Sequence, residues 1–338
     1  MRLHFGKAMS EAPNPRPHGP ALVLRADDAA LDRAARIVLD GGLVAMPTET
    51  VYGLAADATN GRAVAMIYTA KGRPSFNPLI CHVADLVMAE TCARFSPLAH
   101  QLIDRFWPGP LTLVLPRTAR CPVHELATAG LDTIGLRMPK NPAAIGLISR
   151  VGRPLAAPSA NPSEGLSPTT ATHVAEKLSA KIDLILDGGA CPAGLESTII
   201  ALGEEGAVML RPGALARAEI ELLTGPLAAP DANAGLLAPG MMRRHYAPDA
   251  ALRLDASDVR EGESFLAFGP PPQGVRATLN LSERGDLIEA AANLFAMLRR
   301  LDASSRAIAV APIPDTGLGE GIRDRLKRAA AHFPKDGV

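Results

Sequence analysis

The 338-residue chain has no excess of either charge: 35 Lys plus Arg stand against 35 Asp plus Glu. Whole-chain charge therefore carries no footprint of a nucleic-acid or membrane partner, although a local basic patch is compatible with it. The four cysteines, Cys81, Cys92, Cys121 and Cys191, form no C-x-x-C pair. That excludes ordinary zinc-site spacing and favours reduced, cytosolic thiols. No apolar run approaches the roughly 18 residues that span a bilayer, and the N-terminus has no apolar signal region, so a cytoplasmic location without a membrane partner is expected. G-x-x-x-x-G-K-[ST], G-x-S-x-G and H-E-x-x-H are all absent. "GLGEGI" (Gly317 to Ile322) has glycines but not the G-x-G-x-x-G spacing. A nucleotide would have to bind here without a standard phosphate cradle.

What is present is a globular composition, 47% hydrophobic, in a chain long enough for two domains. Apolar positions at helical spacing mark Asp28 to Leu39, Arg62 to Lys71, Ala143 to Arg150 and Thr170 to Leu178. Between them lie short strand-like runs: Leu43 to Met46, "PLICHV", "LTLVLP", "TIGLRMP", "PLAAPSAN", "IDLILDGG", "STIIAL" and "AVMLRPG". The mixture is not a clean βαβ repeat, so a mixed, twisted α/β sheet is expected. Composition then shifts to Pro, Gly and Ala, and "FLAFG", "AIAVAPIP" and two helical stretches follow, Asp286 to Asp302 and Glu320 to Ala331. The expected organisation is a disordered lead-in at 1–20, an α/β domain at 21–225, a linker at 226–250 and a smaller α/β domain at 251–338. Met9 could equally be the start of the chain.

Polar groups gather where the apolar runs stop. "VAMPTETVYGLAAD" places Thr48, Glu49, Thr50 and Tyr52 directly after a buried strand. Lys71 and Arg73 end a helix, either as cations capping it or as a pair facing phosphate, with Asn77 and His82 just beyond. Ser159, Asn161, Ser163 and Ser167 precede a helix, and four small polar groups exceed what a cap requires. Arg137 interrupts an apolar strand, so it needs an anionic partner, either an internal carboxylate or one on a ligand. Ser197, Thr198 and Arg211 sit at strand boundaries, and the single Trp, in "FWPGP", reads as a turn with a core anchor.

Singly these signals are weak. Their order, "PTETVYGL", "KGRPSFNPLICHV", "FWPGPLTLVL", "GLRMP", "APSANPSEGLSPTTA", "ESTII", "LRPG" and "APGMMRRHYAP", resembles the YrdC-like threonylcarbamoyl-AMP synthases in their long form. The match runs from about Leu22 to Pro248 and continues more loosely into "GLGEGIRDRLKRAA". The resemblance implies a YrdC-like twisted mixed sheet with a large concave cavity, plus a smaller C-terminal α/β, Rossmann-like domain. It implies that L-threonine, bicarbonate or CO2, and ATP give threonylcarbamoyl-AMP and pyrophosphate, feeding a tRNA threonylcarbamoyl-transfer complex. By the same match, Thr50, His82, Arg137, Ala157 and Ser197 bind threonine. Arg73, Asn77, Thr133, Ser159, Asn161, Ser167, Arg211, His245 and Tyr246 surround ATP, and Lys71 and Arg73 are the catalytic cations. Mg²⁺ arrives with ATP, with no protein ligand firmly assignable beyond a possible part for Asn161. His245 and Tyr246 fold over the nucleotide as a lid. Two positions depart from the family pattern: Glu164 precedes Gly165 where S-G is common, and Asp324 stands where Asn is common. The alternatives are a double-stranded RNA-binding or ribosome-maturation module, and a carbamoyl-transfer domain of the hydrogenase-maturation type. Threonine- and bicarbonate-dependent pyrophosphate release from ATP separates all three.

Overall fold

The computed structural model describes residues 19–203, 206–230 and 245–331. Residues 1–18 of the expected lead-in and 231–244 of the expected linker lie outside the described residues. A ten-stranded sheet is built from β1 (Leu22–Arg25), β2 (Val44–Met46), β3 (Gly53–Asp57), β4 (Ile80–His82), β5 (Leu111–Pro116), β6 (Thr133–Arg137), β7 (Leu155–Ala156), β8 (Leu184–Asp187), β9 (Thr198–Gly203) and β10 (Gly206–Arg211). Their spatial order is β1-β8-β2-β3-β7-β4-β6-β5-β9-β10, with parallel pairing at β1-β8, β8-β2, β4-β6 and β5-β9 and antiparallel pairing at the other neighbours. The mixed α/β sheet expected from the sequence is therefore present. Helices α1 (Asp28–Leu39), α2 (Gly61–Lys71), α3 (Leu86–Cys92), α4 (Pro97–Phe106), α5 (Glu125–Thr128), α6 (Pro142–Val151), α7 (Ala171–Leu178) and α8 (Arg217–Thr224) accompany it. Side-chain caps begin most of them, for example Asp27 on Ala30 N and Asn60 on Ala63 N.

Strand alternation divides the core into two layers. Ala45, Leu54 and Ala56 face one way with Val64 and Ile67 of α2. Val44, Met46 and Ala55 face the other way, against Ala34 and Val38 of α1 and Leu147 and Ile148 of α6. Helices α1 and α6 cover only part of that second face. Leu155, which packs under α6, is level with His82, and His82 is level with Arg137 on β6. On β6, Ile134 and Leu136 enter the first layer, which leaves Thr133, Gly135 and Arg137 on the opposite, uncovered face. The sheet thus carries a concave region where helix cover ends.

A second sheet, four-stranded and wholly parallel, has the order β11-β14-β12-β13, with β11 (Ala251–Arg253), β12 (Glu263–Ala267), β13 (Leu279–Asn280) and β14 (Ala307–Val310). Helices α9 (Leu287–Asp302) and α10 (Gly319–Ala330) pack on it. Its apolar cluster does not stop at its own residues. Val51, Leu166 and Leu195 from the large sheet's loops, and Tyr246, pack with Leu294, Phe295, Leu298 and Ile322. Close approach at Gly194 makes this contact possible, because a Cβ there would meet the Ala291 carbonyl at 2.3 Å.

Two glycines with nearly equal dihedrals test that contact. Gly152 (φ +67°) has nothing within 4 Å of a built Cβ, whereas Gly194 (φ +66°) abuts the α9 backbone. Gly152→Ala should cost only the left-handed backbone penalty, about 1 kcal/mol. Gly194→Ala should cost that plus overpacking of about 1–3 kcal/mol. Guanidinium midpoints check this, and equal shifts for the two variants would contradict a tight docking at Gly194.

Candidate active site

The connection from β2 to β3 is the segment that drew notice in the sequence. Thr48 Oγ accepts from the amides of Thr50 (3.1 Å) and Val51 (3.2 Å), a local turn that spends its hydroxyl on the backbone. Tyr52 anchors the far end by donating to the Gly189 carbonyl at 2.8 Å. Thr50 is thereby presented to Arg137, whose Nη1 donates to its hydroxyl at 2.9 Å. Arg137 also donates to the carboxylate of Glu49 at 2.6 Å and to the Gly109 carbonyl at 3.2 Å. Of the two partners that the sequence left open for Arg137, the internal carboxylate is present. Burial pushes the Glu49 carboxyl upward, but Arg137 overcomes this and holds it below its ordinary value.

One cavity, about 520 Å³ including its open mouth, collects Thr48, Thr50, Arg73, His82, Arg137, Ala157, Ser159, Glu196, Ser197, Arg211, His245 and Tyr246 among its lining. Arg137 and Arg73 open onto the same hollow. Gly135 lies between Thr133 and Arg137 on β6, where a Cβ would touch Thr112 at 3.7 Å and Ile80 at 3.8 Å. Lys71, Asn77, Thr133, Asn161 and Ser167 are not among the lining residues. Lys71 is buried beneath the 159–163 loop and donates to the carbonyls of Ser159 and Asn161. Its own carbonyl accepts from Ser163 N at 2.7 Å. Asn161 Nδ2 closes the same loop onto Pro162 and Gly165, each at 2.8 Å. Thr133 stands at the start of β6, four residues, or about 13 Å, from Arg137 on the same face. Ser167 donates to Glu196.

The cations are fixed mainly by main-chain carbonyls. Arg73 donates to Asn77 O (3.3 Å) and Pro78 O (2.9 Å), and Arg211 to Ser197 O (2.9 Å) and Ser197 Oγ (3.2 Å). Burial lowers the pKa of Arg73 to about 10, with Arg211 adding to the effect, and burial followed by Arg73 lowers that of Lys71 well below its usual value. His82 is held neutral, its pKa lowered to about 3 by burial and then by Arg137. His245 is depressed well below the ordinary value by burial and by Arg73, Lys71, Arg211 and Arg325. Nδ1 of each histidine and the Tyr246 hydroxyl are buried without a hydrogen-bond partner, which marks a cavity lined for a polar ligand.

Of the four described non-glycine residues with positive φ, Ala129, Glu164, Tyr246 and Asp255, two lie here. Glu164, the departure from S-G, adopts φ +67°, and Tyr246 adopts φ +61°. The two segments touch, since Ala247 N donates to Glu164 O at 2.8 Å. Left-handed non-glycine residues meeting at a cavity rim are a common mark of a functional site. Glu49 and Glu196 were missed as site residues in the sequence. The signal was available, since each adjoins a residue read as functional, but a pairing across 88 positions in the chain, as for Arg137 with Glu49, has no local signature.

The fold and the cavity define a YrdC-like catalytic domain joined to a second α/β unit. A Sua5/YciO/YrdC family model described as "Telomere recombination" matches residues 36–213, and one described as "Threonylcarbamoyl-AMP synthase, C-terminal domain" matches residues 215–331. The chain belongs to the threonylcarbamoyl-AMP synthase family. It is 40% identical to the Bacillus subtilis threonylcarbamoyl-AMP synthase over 331 residues, covering 91% of this chain and 94% of that protein. It is 42% identical to the Pyrococcus abyssi threonylcarbamoyl-AMP synthase over 322 residues, covering 88% and 93%. The crystal structure of P. abyssi Sua5 complexed with L-threonine superimposes with a TM-score of 0.82 at 39% identity, over 92% of this chain and 97% of that one.

The histidines give a signed pH dependence. His82 titrates near 6.5 when unfolded and near 3 when folded, so the unfolded state binds more protons between those values and stability falls as pH drops from 6.5. The slope approaches about 1.4 kcal/mol per pH unit for one group, and His245 adds in the same direction. His82→Gln should flatten the urea-derived stability between pH 6.5 and 4. An unchanged slope would mean that His82 is not held neutral.

Proposed function

We propose that this cavity runs the chemistry of its family on L-threonine, bicarbonate and ATP, and that the chain is a nucleotidyltransferase. The threonine amine and CO2 form a carbamate. A carbamate oxygen attacks the α-phosphorus of ATP, the bond to the β-phosphate oxygen breaks, and pyrophosphate leaves. Counted from bicarbonate, one water is also released. No covalent nucleophile is required, because the work is positioning and stabilising charge that builds on phosphate oxygens.

The observation that carries the reading is that one hollow gathers hydroxyls and cations together: a first end at Thr50 and Arg137, which are hydrogen-bonded, and a second at Arg73 and Arg211, with Ser197 accepting from Arg211. Threonine lies at the first end, with its carboxylate toward Arg137 and Thr50, its polar atoms near Ser197 and neutral His82, and its backbone side against Ala157. ATP lies at the second, with phosphates toward Arg73, Arg211 and Ser159 and the nucleoside toward Thr133, while Ser167 acts through Glu196, to which it donates. Lys71, Asn77 and Asn161 serve by setting the loops, since Lys71 is spent on the Ser159 and Asn161 carbonyls. His245 and Tyr246 close over the labile mixed anhydride and exclude water.

Among the described residues no three His, Cys, Asp or Glu side chains converge on a metal. Glu49 and Glu196 are both engaged by arginines, and the buried, unpartnered acceptor near the loop is Asn161 Oδ1. This donor set fits a Mg²⁺ that is carried by the triphosphate, with Asn161 as its protein contact, better than a protein-built cage. Such an ion would screen the phosphate charge. The product would serve threonylcarbamoyl transfer to tRNA adenosine in the cytoplasm.

Pyrophosphate release from ATP that requires both threonine and bicarbonate is the direct test. Release independent of threonine would reject the reading. Arg137→Ala should weaken threonine binding by at least about thirtyfold, since a charged hydrogen-bonding partner of a buried carboxylate is worth about 2 kcal/mol or more. ATP affinity should change by less than about threefold, consistent with a separate subsite. Calorimetric titration with each ligand reads both, and equal losses would count against the division.

A further inference from the structure

We propose that Arg325, in the C-terminal domain, is a positioning residue of the active site: it holds Glu196 and Tyr246 in place and thereby shapes the nucleotide end of the cavity. The inference rests on the placement of ATP given above. Helix α10 reaches the large sheet through small residues, with a Cβ built on Gly321 lying 3.0 Å from the Gly213 carbonyl. That approach drives Arg325, which is 0% exposed, under the cavity. Its Nε donates to Glu196 Oε2 at 2.9 Å and its Nη1 to Pro212 O at 2.6 Å and Asp324 at 2.9 Å. Its guanidinium carbon lies 5.3 Å from the centre of the Tyr246 ring, which packs on Phe295 of α9 at 5.6 Å. Glu196 and Tyr246 both line the cavity, and Glu196 also receives the hydroxyl of Ser167.

Holding the domains together does not explain a buried arginine here. The interface already has a more exposed pair five residues earlier on α10, Arg217 with Glu320 at 2.6 Å. A buried ion pair is often no better for stability than apolar packing of equal volume, and Arg325 Nη2 is left without a partner. What the charge does is engage Glu196. Burial raises the Glu196 carboxyl, and Arg325 first and Arg211 second hold it down. Without Arg325, the charge of Glu196 would be offset mainly by Arg211, a cation that the phosphates need. Arg325 therefore spares Arg211 and supports the face of Tyr246 at the same time. The threonine end is anchored apart, on Thr48, Glu49, Thr50 and Arg137, and its one link to this group is Ser197, which follows Glu196 and accepts from Arg211.

The test uses the full chain with Arg325→Met, Arg325→Lys, Glu196→Gln, the Arg325→Met/Glu196→Gln double variant, and Arg217→Met as an interface control. Arg325→Met should weaken ATP binding at least about tenfold and leave threonine binding within about threefold. The double variant should recover most of the loss, because no unpaired carboxylate remains, whereas independent losses would add. Arg325→Lys keeps the charge without the planar fork and should fall between, which keeps the proposal testable if the methionine variant does not fold. Arg217→Met should leave both affinities unchanged. A ligand-free readout accompanies these: nitration by tetranitromethane, mapped by mass spectrometry, should rise at Tyr246 but not at Tyr52 in the Arg325 variants. Equal loss of both ligands, additive losses in the double variant, or unchanged nitration of Tyr246 would overturn the role of Arg325. Failure of the unmodified chain to bind ATP and threonine would instead reject the reaction, and the nitration result would still decide whether Arg325 positions Tyr246.

Discussion

The arrangement depends on one constraint: several cations must be buried side by side without being neutralised. Lys71, Arg73, Arg137, Arg211 and Arg325 all donate to main-chain carbonyls, those of Ser159 and Asn161, Asn77 and Pro78, Gly109, Ser197, and Pro212. A carbonyl dipole fixes a guanidinium in place and offsets part of its desolvation, but it leaves the net charge intact. Three carboxylates meet this group, Glu49 against Arg137 and Glu196 and Asp324 against Arg325. The field that remains is directed into the hollow by groups that need not reorganise when a polyanion enters. Each accepting carbonyl belongs to a loop or turn next to a strand end, so the strand order of the sheet and the position of the charges are one problem.

Much of this was legible in the sequence, for identifiable reasons. Strands such as Leu111–Pro116 and helices such as Asp28–Leu39 announced themselves by period and cap. Arg137 stood out because it breaks an apolar run, and Glu164 because it replaces a residue that a left-handed turn favours. The order of the polar blocks then resembled one family and supplied the rest of the candidate site. Leu22–Arg25 and Gly53–Asp57 are not marked in the sequence, because they are short and pair with strands far along the chain, Leu22 with Leu184 and Asp57 with Leu155. Their existence is decided by neighbours dozens of residues away. Lys71 illustrates the same limit at the site: capping a helix and facing phosphate are both readable from "AKGRP", whereas gripping the carbonyl of Ser159, 88 residues on, is not.

The apolar core of the second domain includes Val51, from the same turn as Thr50, and Leu166 and Leu195, which flank Ser167 and Glu196. Arg299 of α9 adds a hydrogen bond to the Leu166 carbonyl at 3.1 Å. Residues that shape the cavity are therefore backed by side chains from the far end of the chain. Cores packed this densely respond to displacement by discrete repacking rather than by drift. Motion of the C-terminal unit would accordingly be felt at Tyr246 and along the 159–167 loop before it reached Arg137.

The closing segment shows how such a cavity can be covered without losing its charge. A protonated His245 among Arg73, Lys71, Arg211 and Arg325 would be repelled, and the depressed pKa reflects that cost. As a neutral ring it enters freely, 3.9 Å from Tyr246, while Tyr246 rests on Phe295. In the proposed lid this segment is held by aromatic contact and by one backbone hydrogen bond, Ala247 to Glu164. An acidic lid would have been held more strongly by the same surroundings, but it would have competed with the triphosphate for every cation beneath it. A neutral, aromatic cover leaves those cations to the ligand, which is the condition the carbonyl-pinned arginines exist to meet.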